Sequence, residues 1–312
     1  MLEGFSLIFL SIIFEALPFI IIGSFVSSLI TIFVKPELLI KILPRNKTLG
    51  LVMASLLGFI FPVCECAIVP IMRGLVKKGV PTYLAITFML AVPIVNPVVL
   101  ASTYYAFDND MTMVFLRATL GIIGAILIGY IVSGLKSSEA PLLRRHHDSH
   151  GECSCSHHHE EEHSCGCGHD HHKKDKGLFA VITQVLQHTS HELYDVGKFL
   201  ILGAFISALM QTFISREAIL AVGSNTVTST LVMMLLAFVL SLCSEADAFI
   251  ARTFMPSFTT GSILGFLILG PMIDIKNSIM LFGSFKSKFV IKLIGIIILV
   301  CFMLAMLINI LL

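Results

Sequence analysis

Cys64-Glu65-Cys66 lies inside a long apolar run, and Cys243-Ser244-Glu245-Ala246-Asp247 lies inside a second one. A carboxylate flanked by thiols offers a hard oxygen and soft sulfurs, a donor set suited to zinc, copper(I) or a trivalent metalloid. An ionisable side chain in a lipid-spanning segment costs roughly 2.5–3.5 kcal/mol on insertion scales, so by default it marks a functional site. In such a setting Glu65 can exchange a proton for a cation. Pro62 upstream lacks a backbone donor and breaks a helix, which frees carbonyls near the acid. Adjacent helical residues face different ways, so Cys64 and Cys66 reach one ligand only where the backbone is unwound. Packed instead as small buried hydrophobes, they would carry no chemistry. In the second motif, Glu245 and Asp247 cannot both ionise cheaply in an apolar setting unless a cation joins them.

A second pair of motifs has the same character. Pro93 and Pro97 bracket Ile94-Val95-Asn96, and two prolines four apart cannot sit in a straight helix. The break exposes carbonyls and a half-helix N-terminus, to which Asn96 adds an amide. The counterpart, Pro271-Met272-Ile273-Asp274-Ile275-Lys276, adds an acid, although Asp274 and Lys276 also fit the membrane interface. Pro93, Asn96 and Asp274 therefore join Cys64, Glu65, Cys66, Cys243, Ser244, Glu245 and Asp247 as candidate transport residues.

Between the apolar runs lies a polar stretch dense in imidazole and thiol. His150, Cys153, Cys155 and His157 form one near-palindrome, and His163, Cys165, Cys167 and His169 form another. His146, His147, His158, His159, His171 and His172 flank them. Imidazole with thiolate favours zinc, nickel or copper. The spacing is tighter than in a structural zinc finger, which predicts a flexible multi-site chelator that buffers, senses or delivers metal. Elsewhere, Arg117 and Lys198 lie in apolar segments and either pair with acids or snorkel. Glu15 mirrors Asp195, which suggests a structural or gating role. His188 and His191 read best as an interfacial helix start.

These residues need a membrane-embedded frame. The chain has 312 residues, 56% hydrophobic and 13% charged, whereas soluble domains carry roughly 25% charged residues. A net charge of +1 excludes a polyanionic partner, so nucleic-acid binding is set aside. The N-terminus lacks a basic n-region and a small-residue cleavage site, so the first apolar segment is expected to be retained. Apolar runs of spanning length cover residues 4–34, 49–72, 80–107, 111–135, 193–214, 226–251, 253–273 and 289–312. The expectation is an all-α polytopic membrane protein with about eight hydrophobic segments. They fall into a first transmembrane repeat (1–135), a His/Cys-rich linker (136–177) and a second repeat (178–312).

The two repeats read as homologous halves. Glu65 and Glu245 lie 180 residues apart, and at that offset Gly23 meets Gly203, Glu15 meets Asp195 and Glu37 meets Glu217. A two-residue adjustment then pairs Pro93 with Pro271 and Asn96 with Asp274. Basic residues flank the second segment on both sides (Lys41, Arg45 and Lys47; Arg73, Lys77 and Lys78). The positive-inside rule keeps both clusters cytoplasmic if that segment re-enters. The halves are then inverted repeats with broken or re-entrant helices, and non-helical backbone is tolerated only where protein or a wet cavity satisfies it.

Glu15-x-x-Pro18-Phe19 with Gly23, the stretch from Phe61 to Cys66, Gly79-Val80-Pro81, Pro93 to Pro97, Cys243 to Asp247 and Gly270 to Asp274 carry a resemblance. Together they are similar to the large bacterial family of predicted permeases that includes the arsenical permease ArsP. The resemblance spans both halves. It implies a multi-pass permease of the bacterial cytoplasmic (inner) membrane, with export of trivalent organoarsenicals by some members and a second small membrane subunit beside others. The His/Cys-rich linker is not a general family feature, and it shifts weight towards a divalent transition metal.

The expected function is thus a secondary permease for a thiophilic or divalent metal ion, zinc foremost, driven by ion gradients because no P-loop is present. It is expected to be no enzyme, to hold no tightly bound cofactor, and to work in the lipid bilayer with a second subunit or as a homodimer. The alternatives are an exporter of trivalent methylated arsenicals, a membrane thiol oxidoreductase using Cys64 and Cys66, and a non-transporting metal sensor. Redox pairs usually read Cys-x-x-Cys, which weighs against the oxidoreductase.

Overall fold

The computed structural model describes residues 2–33, 46–59, 65–135, 178–213 and 225–311. Cys64, Pro62 and the whole His/Cys-rich linker lie outside the described residues. The first half contains α1 (Leu2–Phe33), α2 (Lys47–Leu56, extended by a 3₁₀ turn to Phe59), α3 (Glu65–Lys77), α4 (Thr82–Val95), α5 (Pro97–Ala106) and α6 (Met111–Gly134). The second half repeats that order: α7 (Leu178–Phe213), α8 (Thr226–Leu240), α9 (Asp247–Phe254), α10 (Thr260–Met272), α11 (Ile275–Ser284) and α12 (Ser287–Leu311). The fold is all-helical among the described residues.

Among the described residues, six stretches are long and apolar enough to cross a membrane: Gly4–Leu29, Thr82–Ala106, Met111–Gly134, Thr183–Thr212, Thr260–Ser284 and Ser287–Leu311. The protein is a multi-pass membrane protein. The expected spans over 49–72 and 226–251 are not single helices. The second is a short apolar helix (Thr226–Leu240), then a break, then α9; the first holds a short apolar helix (Lys47–Phe59) and then α3, with residues 60–64 outside the described residues. The expected span over 253–273 begins later, at Thr260, and runs on through a break to Ser284. Lys276 and Asn277 interrupt the apolar run in the sequence, but both are buried against protein.

Two of the spans break near their middles, one at the Pro93/Pro97 pair and the other just after Pro271. α4 ends at Val95, and Asn96 then caps α5 by accepting from the Val98 amide at 2.9 Å, with Pro97 in the first helical position. α10 ends at Met272, and Asp274 Oδ1 caps α11 by accepting from the Asn277 amide at 2.5 Å. The break after α8 is of another kind. Ser241 adopts a left-handed conformation (φ 46°), and the Cys243 carbonyl then accepts from both Ala246 and Asp247 amides. Gln211 of α7 donates to the freed Leu240 carbonyl at 2.8 Å, and Ser207 donates to that of Val239.

Packing follows the duplication. α4 and α10, buried along nearly their whole lengths, meet at the centre. α2 packs on α4 and α6 as α8 packs on α10 and α12, and α3 touches α11 as α9 touches α5. One part departs from this pattern. α1 lies along α3 and α7 lies along α11, so both first helices cover the same side of the molecule. Gly23 and Gly203 permit those approaches: a Cβ there would sit 2.7 Å from the Ala67 carbonyl and 2.9 Å from Lys276 Cα, respectively. The early turns of α1 meet the late turns of α7, where Phe5 and Phe9 stand edge-on to Phe205.

Candidate functional site

The helix breaks bring buried charge together from both halves. Glu65 opens α3 with a side chain only 1% exposed. Its Oε2 accepts from Ser244 Oγ at 3.0 Å, which joins the first-half motif to the second. Its Oε1 faces Lys276 Nζ at 3.7 Å, and the same ammonium stands 3.6 Å from Asp274 Oδ2. Asp274 and Lys276 are therefore not interfacial. Both are buried where α10 breaks into α11.

Ser244 continues the network through its carbonyl, which accepts from Arg117 at 3.3 Å. Arg117, fully buried in α6, also donates to Asp247 Oδ2 at 2.7 Å and to Thr103 Oγ1 at 2.8 Å. Asp274, Lys276, Glu65, Ser244, Arg117 and Asp247 thus form one chain of ionic and hydrogen-bonded contacts between the halves. Three buried acids (Glu65, Asp247 and Asp274) face two buried bases (Arg117 and Lys276), leaving one carboxylate in excess. Burying unpaired charge is expensive unless a proton or cation completes the set.

The thiols and Glu245 border this chain. Cys66 and Cys243 are buried, and neither forms a disulfide. Cys243 donates to Glu245 Oε2 at 2.6 Å. Glu245 is only half-buried, so the register partner of Glu65 is not its equal in environment; Asp247 takes the buried place. Among the described residues, no three His, Cys, Asp or Glu side chains converge to hold a metal ion. Lys276 stands between two of the carboxylates.

Other candidates fall elsewhere. Asn96 is buried, but its side chain caps α5, and no described contact ties it to Glu65, Asp247 or Asp274. Pro93 is buried in α4 and acts on the helix path. Arg117 pairs with an acid, whereas Lys198 sits at the surface beside Asp195 at 3.4 Å. Asp195 also meets Arg73 at 3.6 Å, while Glu15, His188 and His191 are exposed. Arg252 of α9 pairs with Asp108 in the turn between α5 and α6. Thr103 and the inward role of Lys276 were missed in the sequence. A lysine two residues after an acid, beside a helix-breaking proline, was the available signal for the second.

Broken spans around a buried, charge-unbalanced chain are the build of a permease rather than of a soluble domain, and the comparisons agree. A model of the predicted permease family ArsP_1 matches residues 1–310. The chain belongs to that family. It is 43% identical over 293 residues to the UPF0718 protein YcgR of Bacillus subtilis, covering 94% of this chain and 92% of the relative. It is 41% identical over 294 residues to a putative two-component membrane permease complex subunit of Streptococcus mutans, covering 92% and 89%. No solved structure matches the chain significantly.

Proposed function

We propose that this ArsP_1 family member is a secondary permease of the bacterial cytoplasmic membrane that moves a divalent, thiophilic metal cation, zinc being the best fit. The excess buried carboxylate between the halves carries this reading, because its negative charge draws a cation, or a proton that a cation can replace, into the site. Cys66 and Cys243 at its border add soft donors, and the His/Cys-rich linker supplies a metal-gathering tether. Glu65 holds cargo, Asp274 and Asp247 complete the negative field, and Ser244 couples the halves. The halves act as inverted repeats of about four hydrophobic segments each. What supports inversion is that the start of α1 lies level with the end of α7, so the two equivalent spans run in opposite directions. A second membrane subunit belongs with this reading, since one relative is named as part of a two-component complex.

Zinc flux into proteoliposomes tests the proposal. Glu65→Gln is expected to abolish flux while the protein stays folded and membrane-inserted; flux equal to the parent protein's would sink it. The second reading, export of trivalent methylated arsenicals, draws on the family resemblance and the paired thiols. It predicts arsenical flux that survives Glu65→Gln and fails in Cys66→Ser. Zinc binding without flux of either cargo would point to a sensor.

A further inference from the structure

We infer that Lys276 is a tethered stand-in for the transported cation, offsetting one of the two charges of Glu65 and Asp274 between cargo-binding events and moving aside when cargo enters. The inference rests on the cation-permease reading above and adds the residue that lets the carrier return without cargo. Each carboxylate has one oxygen committed elsewhere: Glu65 Oε2 to the Ser244 hydroxyl and Asp274 Oδ1 to the Asn277 amide. The other two, Glu65 Oε1 and Asp274 Oδ2, are buried without a hydrogen-bond partner, and both face the Lys276 ammonium. They form a cation seat with one wall from each half of the molecule.

The ammonium fits that seat loosely. A charge-assisted N–H···O contact closes to about 2.7–2.9 Å, yet Nζ stands at 3.7 and 3.6 Å from the two oxygens. Arg117 makes the contrast, being locked at 2.7 Å to Asp247 and 2.8 Å to Thr103. A structural ion pair resembles Arg117. A compact point charge on a flexible four-carbon stem, hovering between two acids, resembles a removable ion. Gly203 packs closely on the backbone beneath it, where a Cβ would sit 2.9 Å from Lys276 Cα, so within this arrangement displacement belongs to the side chain.

Charge sets the consequence. Two bare carboxylates in a low-dielectric site resist any step that keeps them buried. With Lys276 in the seat, the cargo-free carrier can change conformation and complete a cycle. A divalent ion matches both carboxylates where the monovalent ammonium matches one, so cargo can win the seat. Without Lys276, only the loaded carrier moves, and net transport becomes obligatory exchange.

Lys276→Met in proteoliposomes separates these modes. Net zinc flux is expected to fall by about tenfold or more, while zinc-for-zinc exchange stays within about twofold of the parent. Net flux that is unchanged, or exchange lost in parallel with net flux, overturns the inference. A parent protein that moves zinc in neither mode defeats the cation reading instead. Melting in detergent then still decides the pairing. Lys276→Met is expected to lower the melting temperature, and adding Glu65→Gln with Asp274→Asn to restore it; a Lys276→Met protein that melts like the parent overturns the inference.

Discussion

Arg117 places a full positive charge in the interior of the molecule. It is fully buried, and Asp247 opposite it is 4% exposed, so each depends on the other for neutrality. Removing one partner of such a pair strands a buried charge, at about 3–5 kcal/mol, whereas replacing both can be nearly neutral. Arg117→Met is therefore expected to destabilise the protein by about that amount, and Arg117→Met with Asp247→Asn to recover most of it. Melting curves of the purified variants in detergent check this; a double variant as unstable as the single one would argue against the pairing. The cost of Arg117 was legible in the sequence, but its partner was not. Asp247 lies 130 residues away, and repeat register pointed to Glu245 as the buried acid. The turn decides otherwise: the Cys243 carbonyl binds the Ala246 and Asp247 amides, which winds Asp247 inward and leaves Glu245 half-buried.

At the scale of elements, the two broken spans use one device for different ends. Asn96 and Asp274 occupy equivalent positions, and each caps the half-helix that follows. Asn96 does only that, whereas Asp274 also offers its second oxygen to Lys276. Asn96→Ala is expected to cost about 1 kcal/mol of stability, the usual value of an N-cap, and to preserve transport. Asp274→Asn keeps an acceptor for the Asn277 amide, so it should fold normally yet lose most zinc flux. Thermal melting and flux on the same preparations separate cap from charge; equal behaviour of the two variants would refute the division. Both breaks were readable from proline, a pair at Pro93 and Pro97 and a single Pro271 in the counterpart, because a missing donor and a fixed φ act locally. The length of the second span was not, since Lys276 and Asn277 end the apolar run on paper and only tertiary burial lets the span continue to Ser284. The divided span at 226–251 was hidden for the opposite reason: hydropathy alone does not register a turn built by the left-handed Ser241.

For the whole molecule, the informative fact is where the twofold pattern fails. The packing of α2 to α6 matches that of α8 to α12, but α1 and α7 both lie on the α3/α11 side, and among the described residues the equivalent α5/α9 side lacks that cover. In a carrier made of inverted repeats, exchanging the arrangements of the two halves generates the other access state. On the inverted-repeat reading proposed above, that exchange would carry the α1–α7 pair across to α5 and α9. The repeat register then names the new contacts: Gly23, now against Ala67, meets Val98, and Gly203, now against Lys276, meets Asp247. Val98 is a first-turn residue of α5 that is 53% exposed, a surface suited to such docking. The move also requires Arg73 to release Asp195, the ion pair that ties α3 to α7. A photoreactive benzoylphenylalanine at position 98 is expected to capture α1 around Gly23, with a yield that rises when zinc is added and rises further in Arg73→Gln. Capture confined to neighbouring segments of α5 and α6 under all conditions would show that α1 never reaches that side, and the access change would then have to come from α3 and α9 alone.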